Sequence, residues 1–237
     1  MPFTDQDFNS PSTWHIICDF DGTISLKDTT DFLLNQFGRS GWIEIEQQWE
    51  HGLIGSKSCM QQQIALLDMS EQQLETTLAE VEIDLGFLDL VQFCSQHKLQ
   101  LSIVSDGLDR VISTILKKYQ LDHLPIIANH MQQTATRGWQ LEFPYANSHC
   151  LSQSGTCKCN ISNTTYATQT ILIGDGRSDF CLAEQADVVF AKSSLLHYCQ
   201  QQRIPHHPFA QLSELITPLH HLVTDTQVQV DTTRVSA

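Results

Sequence analysis

The sequence predicts an α/β fold: a Rossmann-like parallel sheet flanked by helices, with a small helical module inserted after the first strand. Three observations carry this expectation. Short apolar runs at Ile16 to Cys18, Leu101 to Val104, Thr170 to Ile173 and Val188 to Phe190 read as strands buried on both faces. Between them, apolar residues recur at helical spacing. The first three runs also lead directly into polar, glycine-containing clusters, and open parallel sheets hold ligands beyond the carboxyl ends of their strands.

After the first strand, residues 28–85 show helical patterns and no strand-like run. Met60, Ile64 and Leu67 make one stripe. Leu74, Leu78 and Val81 make another, opened by Ser70 and Gln73 as a capping box. An insert of about 60 residues is longer than an ordinary crossover, so a helical cap over the strand ends is expected. Phe87, Leu90, Val91 and Cys94 return the chain to the core as a helix. Leu108, Val111, Ile112 and Ile115 repeat the pattern after the second strand. Arg137-Gly138 between two short apolar segments, with Pro144 after them, reads as a hairpin within 129–150. A helix through Phe180, Leu182 and Ala183 separates the last two strands. Beyond Thr217 the chain turns polar and loses its period, so roughly the last 15 residues read as frayed. The expected division is a catalytic core over 1–27 and 86–216, a cap over 28–85 and a polar tail over 217–237.

Composition bounds the function. The 237 residues carry 13 Lys and Arg against 27 Asp and Glu, a net charge of −14. Nucleic acids and anionic membrane surfaces are therefore poor partners, since both need basic side chains. No apolar run approaches the roughly 18 residues of a transmembrane helix, and Met1 to Thr13 lacks the basic and apolar regions of a secretory signal. A cytoplasmic chain is expected. Of the eight cysteines, Cys18, Cys94 and Cys181 fall in apolar runs, where cysteine behaves as a small hydrophobe. Cys157 and Cys159 are close, but no second ligand pair stands at metal spacing, and His206-His207 and His220-His221 lack partners too. Reduced, mostly buried thiols are the expectation.

The chemistry gathers at the strand ends. Asp19-Phe20-Asp21-Gly22-Thr23 follows the first strand, and alternation points Asp19 and Asp21 the same way while Phe20 turns to the core. Two such carboxylates repel unless a cation lies between them, and a hard divalent ion suits them. Gly22 allows a tight turn and close approach to an anion. Taken alone, this could equally be a solvated Asp-Gly turn. Gly174-Asp175-Gly176-Arg177-Ser178-Asp179 follows another strand and opens a helix, so two acidic strand ends converge on one metal position. Ser105-Asp106-Gly107 ends a third strand, where a hydroxyl can donate to a phosphoryl oxygen or simply cap a turn. Lys158 precedes the Asp175 strand and could neutralise phosphate. Asp28 is close enough to the first cluster to face the site, or to cap a helix ahead of Phe32 and Leu33. Arg39 and Lys57 read as surface charges, and Phe37, Trp42 and Trp49 as either pocket wall or cap core.

These four clusters, in this order, resemble the motifs of the haloacid dehalogenase-like superfamily. The resemblance implies a phosphatase in which Asp19 is the nucleophile and Asp21 the general acid and base. It implies Mg²⁺ held by Asp19, the Asp21 carbonyl and Asp175. Ser105 and Lys158 would hold the phosphoryl oxygens, and Asp179 would orient Lys158 or the water ligands of the metal. Gly22, Thr23, Asp106, Gly107 and Asp28 would line the substrate. A helical insert between the first and second motifs is similar to the branch containing phosphoserine phosphatases. Within it, Val104 to Asp109, Gly155 to Lys158 and Gly174 to Lys192 look like the methionine-salvage 2-hydroxy-3-keto-5-methylthiopentenyl-1-phosphate phosphatases and their relatives. Ser105-Asp106-Gly107 departs from the Ser-Gly-Gly usual in phosphoserine phosphatases. The substrate expected is a small phosphorylated metabolite, with phosphoserine, phosphocholine and phosphoethanolamine as alternatives, and the chain a monomer or homodimer. A phosphotransferase would carry the same motifs, and an idle binding module would be expected to lack Asp19 or Asp21.

Overall fold

The computed structural model describes residues 14–150, 152–163, 167 and 169–224. The first strand, β1 (Trp14–Cys18), is buried at every position. Four helices follow it: α1 (Thr29–Phe37), α2 (Trp42–Glu50), α3 (Ser56–Ala65) and α4 (Glu71–Leu78). The chain then alternates through α5 (Gly86–His97), β2 (Gln100–Leu108), α6 (Asp109–Lys117), β3 (Ile126–Ala135) and β4 (Gly138–Glu142). It ends with α7 (Lys158–Asn163), β5 (Gln169–Gly174), α8 (Phe180–Ala183), β6 (Val188–Ala191), α9 (Ser193–Gln202) and the short β7 (His207–Pro208).

The sheet runs β4-β3-β2-β1-β5-β6-β7, with β3 and β4 antiparallel and the other neighbours parallel. β1 lies between β2 and β5, with Ile17 in register with both Ser102 and Leu172. That placement explains its unbroken apolar run, since each face is covered by helices. It also brings the carboxyl ends of β1, β2 and β5, and with them three of the polar clusters, side by side.

The hairpin expected within 129–150 forms as β3 and β4, but β3 begins earlier and also pairs with β2. β2 itself continues past Val104, with its register broken between Val104 and Leu108. Ser105, Asp106 and Gly107 therefore lie on an irregular strand end. The Ser70 capping box is present: Gln73 N donates to Ser70 Oγ at 3.2 Å and Ser70 N to Gln73 Oε1 at 2.9 Å.

The helical insert does not have a core of its own. Leu33, Leu34, Ile64, Leu67, Met69, Leu74 and Leu78 form one cluster with Phe87 and Leu90 of α5, Ile103 of β2 and Ile112 of α6. Only α2 buries no residue. The polar composition after Thr217 predicts a tail, yet a helical stretch over 216–224 buries Leu219 and Val223 in that same cluster. Two apolar residues four apart suffice to dock one helical face, a signal hidden among polar neighbours. The expectations for Met1 to Thr13 and for 225–237 lie outside the described residues. Among the described residues, no helix is long and apolar enough to cross a membrane.

β1 also carries a buried titratable group. His15 is fully buried, with Nε2 2.9 Å from Ser102 Oγ on β2 and Nδ1 without a hydrogen-bond partner. Burial pushes its pKa down from 6.5 to about 4. The folded ring stays neutral where the unfolded one takes up a proton, so stability falls as pH drops from 6.5 towards 4. At about 1.4 kcal/mol per pH unit, the loss is on the order of 3 kcal/mol. Urea unfolding of wild type and His15→Gln from pH 7 to pH 4 is expected to show the wild type losing about that much more than the variant. Parallel losses would contradict it.

Candidate active site

Asp19 directly follows β1, and its backbone N–H extends the ladder to Ile173 O at 2.9 Å. Its carboxylate is almost fully buried, and the Lys158 ammonium stands 2.9 Å from Oδ1 without meeting hydrogen-bond angles there. Lys158, at the start of α7, has no exposed surface. It also donates to Asp179 Oδ1 and, at 3.1 Å, to Ser178 Oγ. Two of the three ammonium protons thus have acceptors, and Asp19 adds a close charge contact. Burial alone would lower the Lys158 pKa, but the Asp179 and Asp19 carboxylates outweigh it and hold the ammonium above its ordinary value. The lysine is a permanent cation behind Asp19, not part of the cleft wall.

Asp179 is fully buried as well. Its Oδ2 accepts from Asp175 N and Gly176 N, both at 3.1 Å, so it folds the turn that carries Asp175. Its Oδ1 meets the Lys158 ammonium. Asp175 Oδ1 accepts from Thr23 Oγ1 at 3.1 Å. Gly22, at φ +70, lies so close that a Cβ there would meet Asp175 Oδ2 at 2.5 Å. Thr23 and Gly22 were expected at the substrate. They instead hold and make room for Asp175, because the tight turn directs Thr23 inward, where it is fully buried.

Asp19, Asp175 and Asp179 bring carboxylate oxygens within 4.8 Å of one another. Burial, joined by Asp179 and Asp175, raises the Asp19 pKa against the opposing pull of Lys158. Burial and then Asp179 raise Asp175 to about 6. Three carboxylates thus face one buried lysine, with Lys192 adding its charge only at Asp175, and the shortfall of positive charge suits a hard divalent cation such as Mg²⁺. Because Asp179 already binds Lys158 and two amides, Asp19 and Asp175 are the side chains that would hold the ion. The Asp21 carboxylate stands outside this group. Its Oδ1 accepts from Thr29 N at 2.8 Å and from Thr29 Oγ1 at 2.6 Å. Burial and then Asp28 push Asp21 up to about 7, with the Thr29 bonds opposing. A carboxyl poised near neutrality can both give and take a proton.

A cleft of about 560 Å³ opens over these groups, and Asp19, Asp21, Ser105, Asp106, Gly107 and Asp175 line its floor. Ser105 Oγ accepts from Gly107 N at 3.0 Å, leaving its own proton free to donate. Asp106 is a junction. Its Oδ2 accepts from Ser56 Oγ of α3, and its Oδ1 accepts from Thr156 N at 3.0 Å and Asn129 Nδ2 at 3.2 Å. With its oxygens engaged, Asp106 joins the helical insert to the loop leading into Lys158. A second tie, Lys57 N to Gln153 O at 3.0 Å, closes the same seam. Asn129, Thr156, Ser56 and Thr29 were not anticipated. Each is a lone polar residue in an ordinary segment, and only tertiary pairing gives it a role.

The insert forms the cleft roof with Asp28, Asp31, Glu46, Trp49, Ser56 and Cys59. Asp28 does both things the sequence allowed: it lines the cleft and caps α1 by accepting from Asp31 N at 2.9 Å. Trp49 belongs to the cleft, with the Arg177 guanidinium 4.9 Å from its ring, whereas Phe37 and Trp42 pack against the core. Arg39 pairs with Asp68, and Lys57 stands 5.1 Å from the Phe143 ring.

A family model described as Putative Phosphatase matches residues 14–212. Among curated proteins, a 2-hydroxy-3-keto-5-methylthiopentenyl-1-phosphate phosphatase of Exiguobacterium sp. is 32% identical over 204 residues, covering 82% of this chain and 92% of its own. The protein of that name from Brevibacillus brevis is 30% identical over 213 residues, covering 87% and 95%. Among solved structures, a phosphoserine phosphatase holding a phospho-aspartyl intermediate analogue superposes with a TM-score of 0.67 at 17% identity, covering 88% of this chain and 99% of that one. A HAD family hydrolase from Salmonella enterica serovar Typhi gives 0.68 at 17%, covering 88% and 71%. The structural likenesses show a common fold.

The charge imbalance makes a direct test. Because Asp175 is raised, its ionised form costs stability above about pH 6 when no cation is bound. In chelator at pH 8, Asp175→Asn is expected to melt higher than wild type. Millimolar Mg²⁺ should raise the wild-type melting temperature and leave the variant nearly unmoved. A wild type indifferent to Mg²⁺ would remove the shared cation site.

Proposed function

The chain belongs to the Putative Phosphatase family and is a phosphoric monoester hydrolase of the haloacid dehalogenase type; on that premise we propose that it is a Mg²⁺-dependent phosphatase working through an aspartyl-phosphate. The observation that carries this reading is the Asp19–Lys158–Asp179 arrangement beneath the cleft. Lys158 fixes one oxygen of Asp19 and offsets charge, so the other oxygen is directed at phosphorus. Asp19 attacks phosphorus, and the bond to the leaving oxygen breaks as Asp21 gives that oxygen its proton. Asp21 then takes a proton from the water that attacks the aspartyl-phosphate, and inorganic phosphate leaves with Asp19 restored. Ser105 donates to a phosphoryl oxygen throughout. When bound, Mg²⁺ would be held by Asp19 and Asp175 with the Asp21 carbonyl and would supply charge neutralisation between carboxylate and phosphate.

The relatives' shared name makes 2-hydroxy-3-keto-5-methylthiopentenyl-1-phosphate the first substrate to try. A second reading has its own support. Asp28, Asp31 and Glu46 give the cleft roof a negative lining beside Trp49, and an amino-alcohol phosphate such as phosphocholine or phosphoethanolamine would place its cation there. Asp106, in place of a second glycine, speaks against phosphoserine.

Phosphate release from these esters, an aryl phosphate and phosphoserine, with Mg²⁺ or chelator, separates the readings. Release is expected only with Mg²⁺, and Asp19→Asn should lower it by at least about a thousandfold, as removal of a nucleophile does. The highest kcat/KM for the enol phosphate would identify the salvage substrate, and the highest for an amine ester would identify the second reading. Undiminished turnover in Asp19→Asn would overturn the mechanism. Phosphate appearing on an added alcohol in preference to water would make the enzyme a phosphotransferase.

A further inference from the structure

Four of the eight cysteines collect behind the lysine. Cys157 and Cys159 flank Lys158, and Cys181 stands two residues after Asp179. Cys150 completes the group, interacting with Cys157 and with Cys181. At its centre the Cys159 thiol of α7 donates to Cys181 Sγ of α8 at 3.0 Å. A disulfide bond measures about 2.05 Å, so a further approach of about 1 Å would join the two helices. None of these sulfurs has a part in phosphoryl transfer. Cys159 is partly exposed and Cys181 just buried, which leaves a route for a small oxidant.

We propose that Cys159 and Cys181 are a reversible oxidation site that responds to hydroperoxides and, when closed, weakens the hold of Lys158 on Asp19. The Cys181 sulfur takes one oxygen of the peroxide as its O–O bond breaks, giving a sulfenic acid and one water or alcohol. The Cys159 sulfur then attacks that sulfur and expels a second water, so two thiols and one peroxide become a disulfide and two hydroxylic products. The hydrogen bond from Cys159 favours this order. It draws the Cys181 thiol below its ordinary value against the effect of burial, with Ser152 and Lys158 adding to the pull. The new bond would tie the segment bearing Lys158 to the one bearing Asp179 and shift both by a fraction of the distance that positions the nucleophile. The effect on turnover rests on the phosphatase reading, whereas formation of the bond does not.

The test treats the full chain with hydrogen peroxide and then dithiothreitol. Peptide mapping without reduction is expected to show a Cys159–Cys181 link in the wild type. Mg²⁺-dependent release from an aryl phosphate should fall about tenfold or more, as a misplacement near 1 Å can cause, and dithiothreitol should restore it. Cys159→Ser and Cys181→Ser should keep their activity through peroxide treatment. A link mapped to Cys150 or Cys157 instead, or one zinc per chain held by the four thiols, would overturn the assignment. A Cys159–Cys181 link that leaves turnover unchanged would overturn its effect on Lys158. A reduced protein with no turnover at all would sink the phosphatase reading while the mapping still decides the disulfide.

Discussion

A buried ammonium between two buried carboxylates is the constraint on which the rest of this structure depends. Lys158 has no contact with water, and neither has Asp179. Removing a single partner from such an arrangement strands a charge and typically costs about 3–5 kcal/mol. The three groups come from three places in the chain: the end of β1, the start of α7 and the turn after β5. Their pairing therefore fixes β1 against β5 and α7 against both. The sheet brings the strand ends together, and the ion pairs set the distances at which they meet.

This arrangement leaves negative charge in excess. Lys158 pairs with Asp19 and Asp179, Lys192 adds its charge near Asp175, and burial together with the neighbouring carboxylates still makes Asp19 and Asp175 hold their protons more tightly. Such an excess of carboxylate charge suits a hard divalent cation. Asp21 stands apart from this economy of charge. Thr29, at the first turn of α1, holds its carboxyl over the cleft, while burial and then Asp28 raise its pKa to about 7. The proposed nucleophile and the proposed proton carrier are two residues apart, yet one is tuned by the core and the other by the helical insert.

The strands and their order of use were legible because β1, β2, β5 and β6 are buried on both faces and so write unbroken apolar runs. The capping box and helical stripes of the insert were legible for the same reason of spacing. β7 is two residues long, and β3 looked like one arm of a hairpin, so neither could be read as a sheet strand from its own residues. The helical stretch over 216–224 docks through few apolar residues in polar surroundings and was equally hidden. At the site, the aspartates, Ser105 and Lys158 stand out because their motifs are compact in sequence. Thr23 did not announce that it would turn inward to Asp175, nor Asp106 that Ser56, Asn129 and Thr156 would engage it. Those roles depend on partners far along the chain, and local pattern has no access to them.

In the proposed mechanism, Lys158 holds Asp19 as the residue that receives the phosphoryl group. Acid quenching during turnover of an aryl phosphate with Mg²⁺, followed by peptide mass mapping, tests it most directly. The account predicts one phosphoryl group on the peptide containing Asp19, on Asp19 itself, and none in the absence of Mg²⁺. A phosphoryl group on Asp21 or Asp175, or steady phosphate release with no phosphorylated peptide at any time of quenching, would contradict it.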